Sequence, residues 1–263
     1  MSTTMAAIPA RGRYQGVLQI LQFNWRLYLA TAGGLVAAAL AWPLLPIAGR
    51  AALILGFTPA VFWMVASLAV SHYVYDRFPI YDLHWLQRTL AATPRRWINI
   101  HAGWDETSGV LAAVFPDAVG EAVDLFDPRT MTEPSIREAS RMRQARQAIR
   151  AAVPSISARY DALPFENGTV DAAFAIFAAH ELRRREQRVK FFSEVRRVLT
   201  AHGEMVVMEH ARDWWNFFAF GPGFLHFFPR LEWRATAQAA GLEVRTEFEL
   251  TPFVHVFVMR RAR

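Results

Sequence analysis

The 263-residue chain contains no cysteine. That absence excludes disulfides, cysteine-ligated zinc, iron–sulfur clusters and thiol nucleophiles together, and it suits a reducing compartment. Internal repeats and low-complexity tracts are also missing, as is any tightly spaced metal motif of the HExxH kind. Glycine is scarce where a nucleotide-cradling loop would need it. After the short apolar run "WINI" the chain reads "HAGWDETSG", with one glycine in the turn itself. Aromatics and arginines are not interleaved along one strand face, so no nucleic-acid platform is expected. The formal charge of +6 comes mostly from arginine and suits an anionic surface instead.

Apolar residues, by contrast, make up 53% of the chain and crowd into its first 75 positions. Residues 27–49 and 51–70 carry no charge, and only Arg50 separates them. Each run has about the 20 residues a helix needs to cross roughly 30 Å of hydrocarbon. The pattern predicts a transmembrane hairpin with both ends on one side. Arg11, Arg13 and Arg26 precede it, and Arg77, Arg88, Arg95 and Arg96 follow it, which puts both ends in the cytoplasm. Trp25, Tyr28, Tyr73 and Tyr75 stand where interfacial aromatics belong. A cleaved signal peptide fits poorly, because the apolar run is too long and is doubled. A buried soluble hairpin is the competing reading, since Pro43, Pro46 and Pro59 interrupt the runs. The expected layout is a cytoplasmic segment (1–26), a membrane hairpin (27–72), a linker with a short amphipathic helix "YDLHWLQRTLAA" (73–96), and a domain (97–263) on the cytoplasmic side of the cell's inner membrane.

In that domain strand-like runs alternate with helical patterns. Strands are predicted at 97–100, 120–126, 155–160, 170–178, 203–210, 243–250 and 253–260, and helices at 108–115, 132–152, 184–199 and 233–240. This alternation predicts an α/β fold: a doubly wound, mostly parallel seven-stranded sheet with helices on both faces. Ligands of such sheets bind beyond the carboxyl ends of the strands. Ionisable residues gather there: His101, Asp105 and Glu106; Asp124 and Asp127; Asp161; His180 and Glu181; Glu209 and His210.

The stretch "YDALPFENGTVDAAFAIFAAHELRRREQRVKFFSEVRRVLTAHGEMVVMEH" (160–210) resembles class I S-adenosylmethionine-dependent methyltransferases that modify quinones and other small lipophilic molecules. Its counterparts to the family pattern are Asp161, the "LPF" at 163–165, Gly168, Asp171, His180, the "RVL" at 197–199 and Gly203. The likeness runs from about Trp97 to the C-terminus, and the hairpin lies outside it. It implies S-adenosyl-L-methionine as cofactor. The family's acidic residue and three alternating glycines correspond here to Asn99, His101, Gly103 and Asp105, so only the middle glycine remains. Histidine and aspartate tolerate left-handed backbone better than most residues. Asp105 suits the cofactor's ammonium or sulfonium but repels its carboxylate, and it could equally cap the following helix.

The resemblance further implies Asp124 as acceptor for the ribose hydroxyls, with Asp127 competing, and Asp161 with Ala162 at the adenine edge. His180 or His210 could serve as base, with Glu181 or Glu209 orienting it. The set His101, Asp105, His180, Glu181, Glu209 and His210 could hold a divalent ion, but lacks tight spacing, and no metal is assigned. The run "WWNFFAFGPGFLHFF" (214–228) has eight aromatics. It is read as covering a flat or prenylated substrate, dipping into the bilayer interface, or packing on the sheet edge. The runs "RMRQAR" and "LRRREQR" read as solvated helix faces near anionic headgroups. The expected protein is a membrane-anchored methyltransferase for a small lipophilic acceptor. Its alternative is a tethered binding or scaffold domain with altered cofactor use.

Overall fold

The computed structural model describes residues 12–132, 136–137 and 153–262. Helix α1 (Gln15–Phe23) leads into α2 (Trp25–Ala41), and a 3-10 turn at Trp42–Leu44 connects α2 to α3 (Ile47–Ser71). Both long helices are long and apolar enough to cross a membrane, and the apolar stretch of each lies on the outside of the molecule. Leu44 and Ile47 are each 85% exposed and Leu55 75%. Pro59 sits inside α3, a position neighbouring helices can compensate for in lipid.

The chain leaves α3 through a π-turn, His72–Arg77, without a loop between. The following segment is built into the domain: Val74, Ile80, Leu83 and Leu86 are fully buried against the sheet. The expected amphipathic helix shrinks here to one turn, α4 (Leu86–Thr89). Leu83 takes a positive φ of 56°, which stops a helix before it, and Leu90 is already extended. Glu204 and Arg245 pin the segment, accepting from the Ala91 N–H and donating to the Thr89 carbonyl.

Seven strands follow: β1 (Arg96–His101), β2 (Val119–Asp124), β3 (Ser155–Ser157), β4 (Val170–Ile176), β5 (Leu199–His210), β6 (Leu242–Thr251) and β7 (Val254–Arg261). Their order is β3-β2-β1-β4-β5-β7-β6, parallel except that β7 runs antiparallel to both neighbours. Strand residues alternate between two cores, as a period of two requires. On β4, Ala173 and Ala175 face one core with Phe191, Phe192 and Trp233, while Ala172, Phe174 and Ile176 face the other with Trp97 and Leu111. Helices α5 (Ser108–Val114), α6 (Arg185–Val198) and α8 (Arg230–Ala239) cover these faces. β5 begins earlier than expected because Leu199 already pairs with Val170, and α8 starts at Arg230, just after Pro229. The helix expected at 132–152, with its arginine run, lies outside the described residues apart from Thr132, Ile136 and Arg137.

The aromatic run folds into α7 (Trp214–Phe220) and a 3-10 turn at Gly221–His226. Asp213 starts it, accepting from the Asn216 N–H at 2.9 Å. α7 packs on α3, where Phe217 meets Trp63 edge-on at 5.6 Å. Gly221 is required at this contact: a Cβ there would fall 2.5 Å from the Trp63 ring, at a φ of +55°.

Candidate active site at the strand crossover

In the strand order, the chain departs in opposite directions from β1 and β4, and the crevice between them is where open α/β sheets take ligands. A cavity of about 250 Å³ lies there. His101, Ala102, Trp104, Glu106 and Thr107 line it from the β1 side, and Ile176, Phe177, His180 and Glu181 from the β4 side. Its remaining wall is α1, the π-turn and the aromatic insert, through Gln19, Phe23, Tyr75 and His226.

The loop after β1 holds itself together. Asn99 is buried and donates to Asp105 Oδ1 at 3.2 Å, to Thr107 Oγ1 at 2.8 Å and to Ser108 Oγ at 2.8 Å. Asp105 Oδ1 accepts from the backbone N–H of Thr107 and Ser108, so it caps the start of α5. Gly103 sits at a φ of +86°, the left-handed conformation glycine adopts without cost. Its N–H donates to Asp124 Oδ1 at 2.8 Å, as does that of Phe126 at 3.0 Å. The buried His101 ring lies beside this carboxylate, Nδ1 3.6 Å from Asp124 Oδ1 and Nε2 3.0 Å from Ser155 Oγ on β3. Asp161 stands apart from the cavity. Arg159 clasps both its oxygens at 2.9 Å, which holds its carboxyl below the ordinary range. Ala162 pairs with Arg159 in an isolated antiparallel bridge. Asp127 binds Arg129.

The β4–β5 side is charged. His180 Nδ1 meets the buried Glu209 Oε2 at 2.7 Å, and its Nε2 stands 3.3 Å from Glu181 Oε1. Burial opposes a charged imidazole, but the charges and hydrogen bonds of Glu209 and Glu181 outweigh it and raise its pKa to about 10. Without a bound metal His180 is therefore an imidazolium at neutral pH and has no lone pair to take a proton. His210 behaves oppositely. Burial, opposed by the Phe253 carbonyl and reinforced by the charge of His180, lowers its pKa to about 4. Its Nδ1–H donates to the Phe253 carbonyl at 2.7 Å, which leaves Nε2 to accept from the Tyr75 hydroxyl at 2.6 Å. Phe177 stacks on His210 from a φ of +51°, a strained conformation for a bulky side chain of the kind that collects at functional sites.

Tyr75, Phe177 and His226 thus join the expected residues. Tyr75 reads in the sequence as an interfacial aromatic, and His226 is hidden in an aromatic run. Only the fold brings them to the strand ends.

Residues 124–207 match a family model described as a methyltransferase domain. The sheet order and the crossover cavity agree with it. The chain carries a methyltransferase domain, on the seven-stranded fold of class I S-adenosylmethionine-dependent enzymes.

Among solved structures, the chain is similar to a SAM-dependent methyltransferase from Aquifex aeolicus, with TM-score 0.50 and 15% identity over 70% of this chain and 92% of that one. It is also similar to the geranyl diphosphate C-methyltransferase of Streptomyces coelicolor A3(2), solved with Mg2+, geranyl diphosphate and S-adenosyl-L-homocysteine (TM-score 0.51, 13% identity, 74% and 83% covered). A third is a mitomycin 7-O-methyltransferase, with TM-score 0.55 and 11% identity over 99% of this chain and 76% of that one. At these identities the likeness is one of fold. No curated protein matches.

The methyltransferase domain fits its cofactor by the chemistry of its rim. A sulfonium and an ammonium are both cationic, and Glu106, Glu181 and Asp124 supply carboxylates beside or within the cavity. The positive φ of Gly103 lets the β1 loop pass close. His101 occupies the space beside Asp124.

Proposed function

We propose that the protein is a membrane-anchored methyltransferase that acts on a small lipophilic or amphiphilic acceptor at the cytoplasmic face of the inner membrane. The observation that carries this reading is the packing of α7 against α3 at Trp63. At 1.5 Å per residue, Trp63 lies about 20 Å from Arg50 and about 12 Å from the end of α3, well inside the apolar run. Trp214, Trp215 and Phe218 point outward from the same short helix and are more than half exposed. In a bilayer these rings would face lipid alongside α3, where their large apolar area is favoured. The turn that follows α7 brings His226 into the cavity wall, so an acceptor dissolved in lipid has a short path to the site.

When bound, the cofactor supplies an electrophilic methyl group on cationic sulfur. Gly103 and Asp124 shape the loop that would hold it, with Asn99 and Asp105 fixing that loop to α5 and His101 bordering the ribose corner. Asp161 and Ala162 remain assigned to the adenine edge, where Asp161 must exchange Arg159 for the base. Tyr75 presents its hydroxyl at the cavity with neutral His210 behind it, so a proton leaving an acceptor hydroxyl could pass through Tyr75 to His210 Nε2. His180 and Glu209 then organise charge rather than remove a proton.

The cysteine-free background gives a direct test of membrane contact. Trp215→Cys, labelled with a polarity-sensitive fluorophore, should shift to the blue in anionic vesicles and resist a water-soluble quencher. A label fully open to that quencher in vesicles would sink the membrane-facing reading.

A further inference from the structure

We propose that His180, Glu181 and His226 form a binding site for a divalent transition-metal ion, opening onto the cavity. One donor atom from each lies within 4.8 Å of the other two. Donors bound to one ion at about 2.1 Å stand about 3 to 4.2 Å apart, and His180 Nε2 and Glu181 Oε1, at 3.3 Å, already meet that spacing.

The support around these donors is what a metal site requires. A ligating histidine generally gives its other ring nitrogen to a carboxylate or carbonyl, which fixes the ring and makes it a better ligand. Glu209, 2% exposed, does this for His180, accepting from Nδ1 at 2.7 Å and from the backbone N–H at 3.2 Å. The two backbone segments that carry the histidines are tied by one guanidinium: Arg183 donates to the carbonyls of His180 at 3.1 Å and His226 at 2.7 Å. Arg212 holds the carbonyls on either side of His226, those of Leu225 at 2.6 Å and Phe227 at 2.8 Å. The imidazoles consequently meet edge to face, 5.0 Å between centroids.

Two imidazoles and one carboxylate favour zinc, manganese, iron, cobalt or nickel over magnesium or calcium, and three protein ligands leave coordination positions open. All three residues line the cavity, so those positions face the space a ligand would enter. A ligand oxygen, such as a hydroxyl or phenolate, is the chemical class they would take. In this reading Glu209 is a positioning residue.

The test uses the full chain in detergent, stripped with a chelator and titrated calorimetrically with Zn2+, with Co2+ absorption as a second readout. A single ion should bind per chain, and Co2+ should develop visible ligand-field bands. His226→Ala, His226→Gln and Glu181→Gln should each weaken binding at least 100-fold, and Glu209→Gln should weaken it about 10- to 100-fold with all three ligands intact. His84→Ala, at an exposed histidine, should leave it unchanged. Metal-free unfolding midpoints check that each variant folds; His226 belongs to a surface insert, so its variants remain testable if Glu181→Gln does not fold. No binding by the parent chain, or parental affinity in the His226 variants, overturns the proposal. The titration contains neither cofactor nor acceptor, so its failure leaves the methyltransferase reading standing.

Discussion

The two halves of the sheet's carboxyl rim use similar residues for different ends. Over β1 and β2, Asn99 donates to side-chain oxygens while Asp105 and Asp124 accept backbone N–H groups, and these bonds give the loop its shape. Over β4 and β5, Glu181 and Glu209 both bind His180, and His210 binds Tyr75. A carboxylate that accepts N–H groups is structural whatever lies in the cavity. A buried carboxylate facing an imidazole sets charge, and with it the chemistry available. Carboxylates stand on both sides; the partner decides the role.

The comparison can be broken most sharply at Asp124. Asp124→Ala strands the N–H groups of Gly103 and Phe126, at roughly 1–3 kcal/mol for each buried group left unpaired. Thermal unfolding should show that loss, and calorimetry with S-adenosylhomocysteine should show at least a tenfold weaker affinity. A lower midpoint with unchanged affinity would make the carboxylate a scaffold alone.

The charged half should declare itself through pH. The folded pKa of His180 is raised from 6.5 to about 10. Its contribution is therefore complete below pH 6.5 and declines as pH rises through about 10. His210 is lowered from 6.5 to about 4, so its contribution is present above pH 6.5 and is lost as pH falls through about 4. Melting midpoints of metal-free protein should peak near pH 6.5. Glu209→Gln should flatten the alkaline limb and His210→Phe the acid one. Limbs identical to those of the parent would remove these groups from the explanation.

The smallest effect is expected from the double change His101→Gly with Asp105→Gly. Asp105 Oδ1 accepts from the Thr107 and Ser108 N–H groups just ahead of α5, and Asn99 keeps Thr107 and Ser108 as partners. Stability should fall by about 1 to 3 kcal/mol, because His101 is buried and its removal leaves Ser155 Oγ without the imidazole, with S-adenosylhomocysteine affinity within about threefold of the parent. A larger loss of binding in a folded variant would show the loop to be in direct contact with the cofactor.

Much of this architecture was legible in the sequence. Seven apolar or alternating runs marked the seven strands, because a sheet covered on both faces leaves its strands little choice of residue. Asp124 could be placed at a strand end by counting. The one-turn α4 could not, because tertiary burial of Leu83 and Leu86 overrode the helical period. Arg159 on Asp161 was within reach, since residues two apart on an extended chain share a face. The meeting of His180 with His226 was not. It depends on an aromatic insert folding back across the sheet, which no local spacing encodes. Tyr75 was misleading for a related reason: the same ring chemistry serves a headgroup layer and a cavity wall.

The absence of a loop between α3 and the domain has its own consequence. The helix passes through the π-turn, and within a few residues it supplies Tyr75 to the cavity and Asp76 to the N–H of Gly16 on α1. Under the proposed membrane anchoring, a tether with no slack would fix the height of the enzyme above the bilayer, and its search would be two-dimensional. For a lipid-dissolved acceptor, the governing concentration is then its mole fraction in the bilayer. Added inert lipid would slow turnover by surface dilution while the bulk concentration stayed constant.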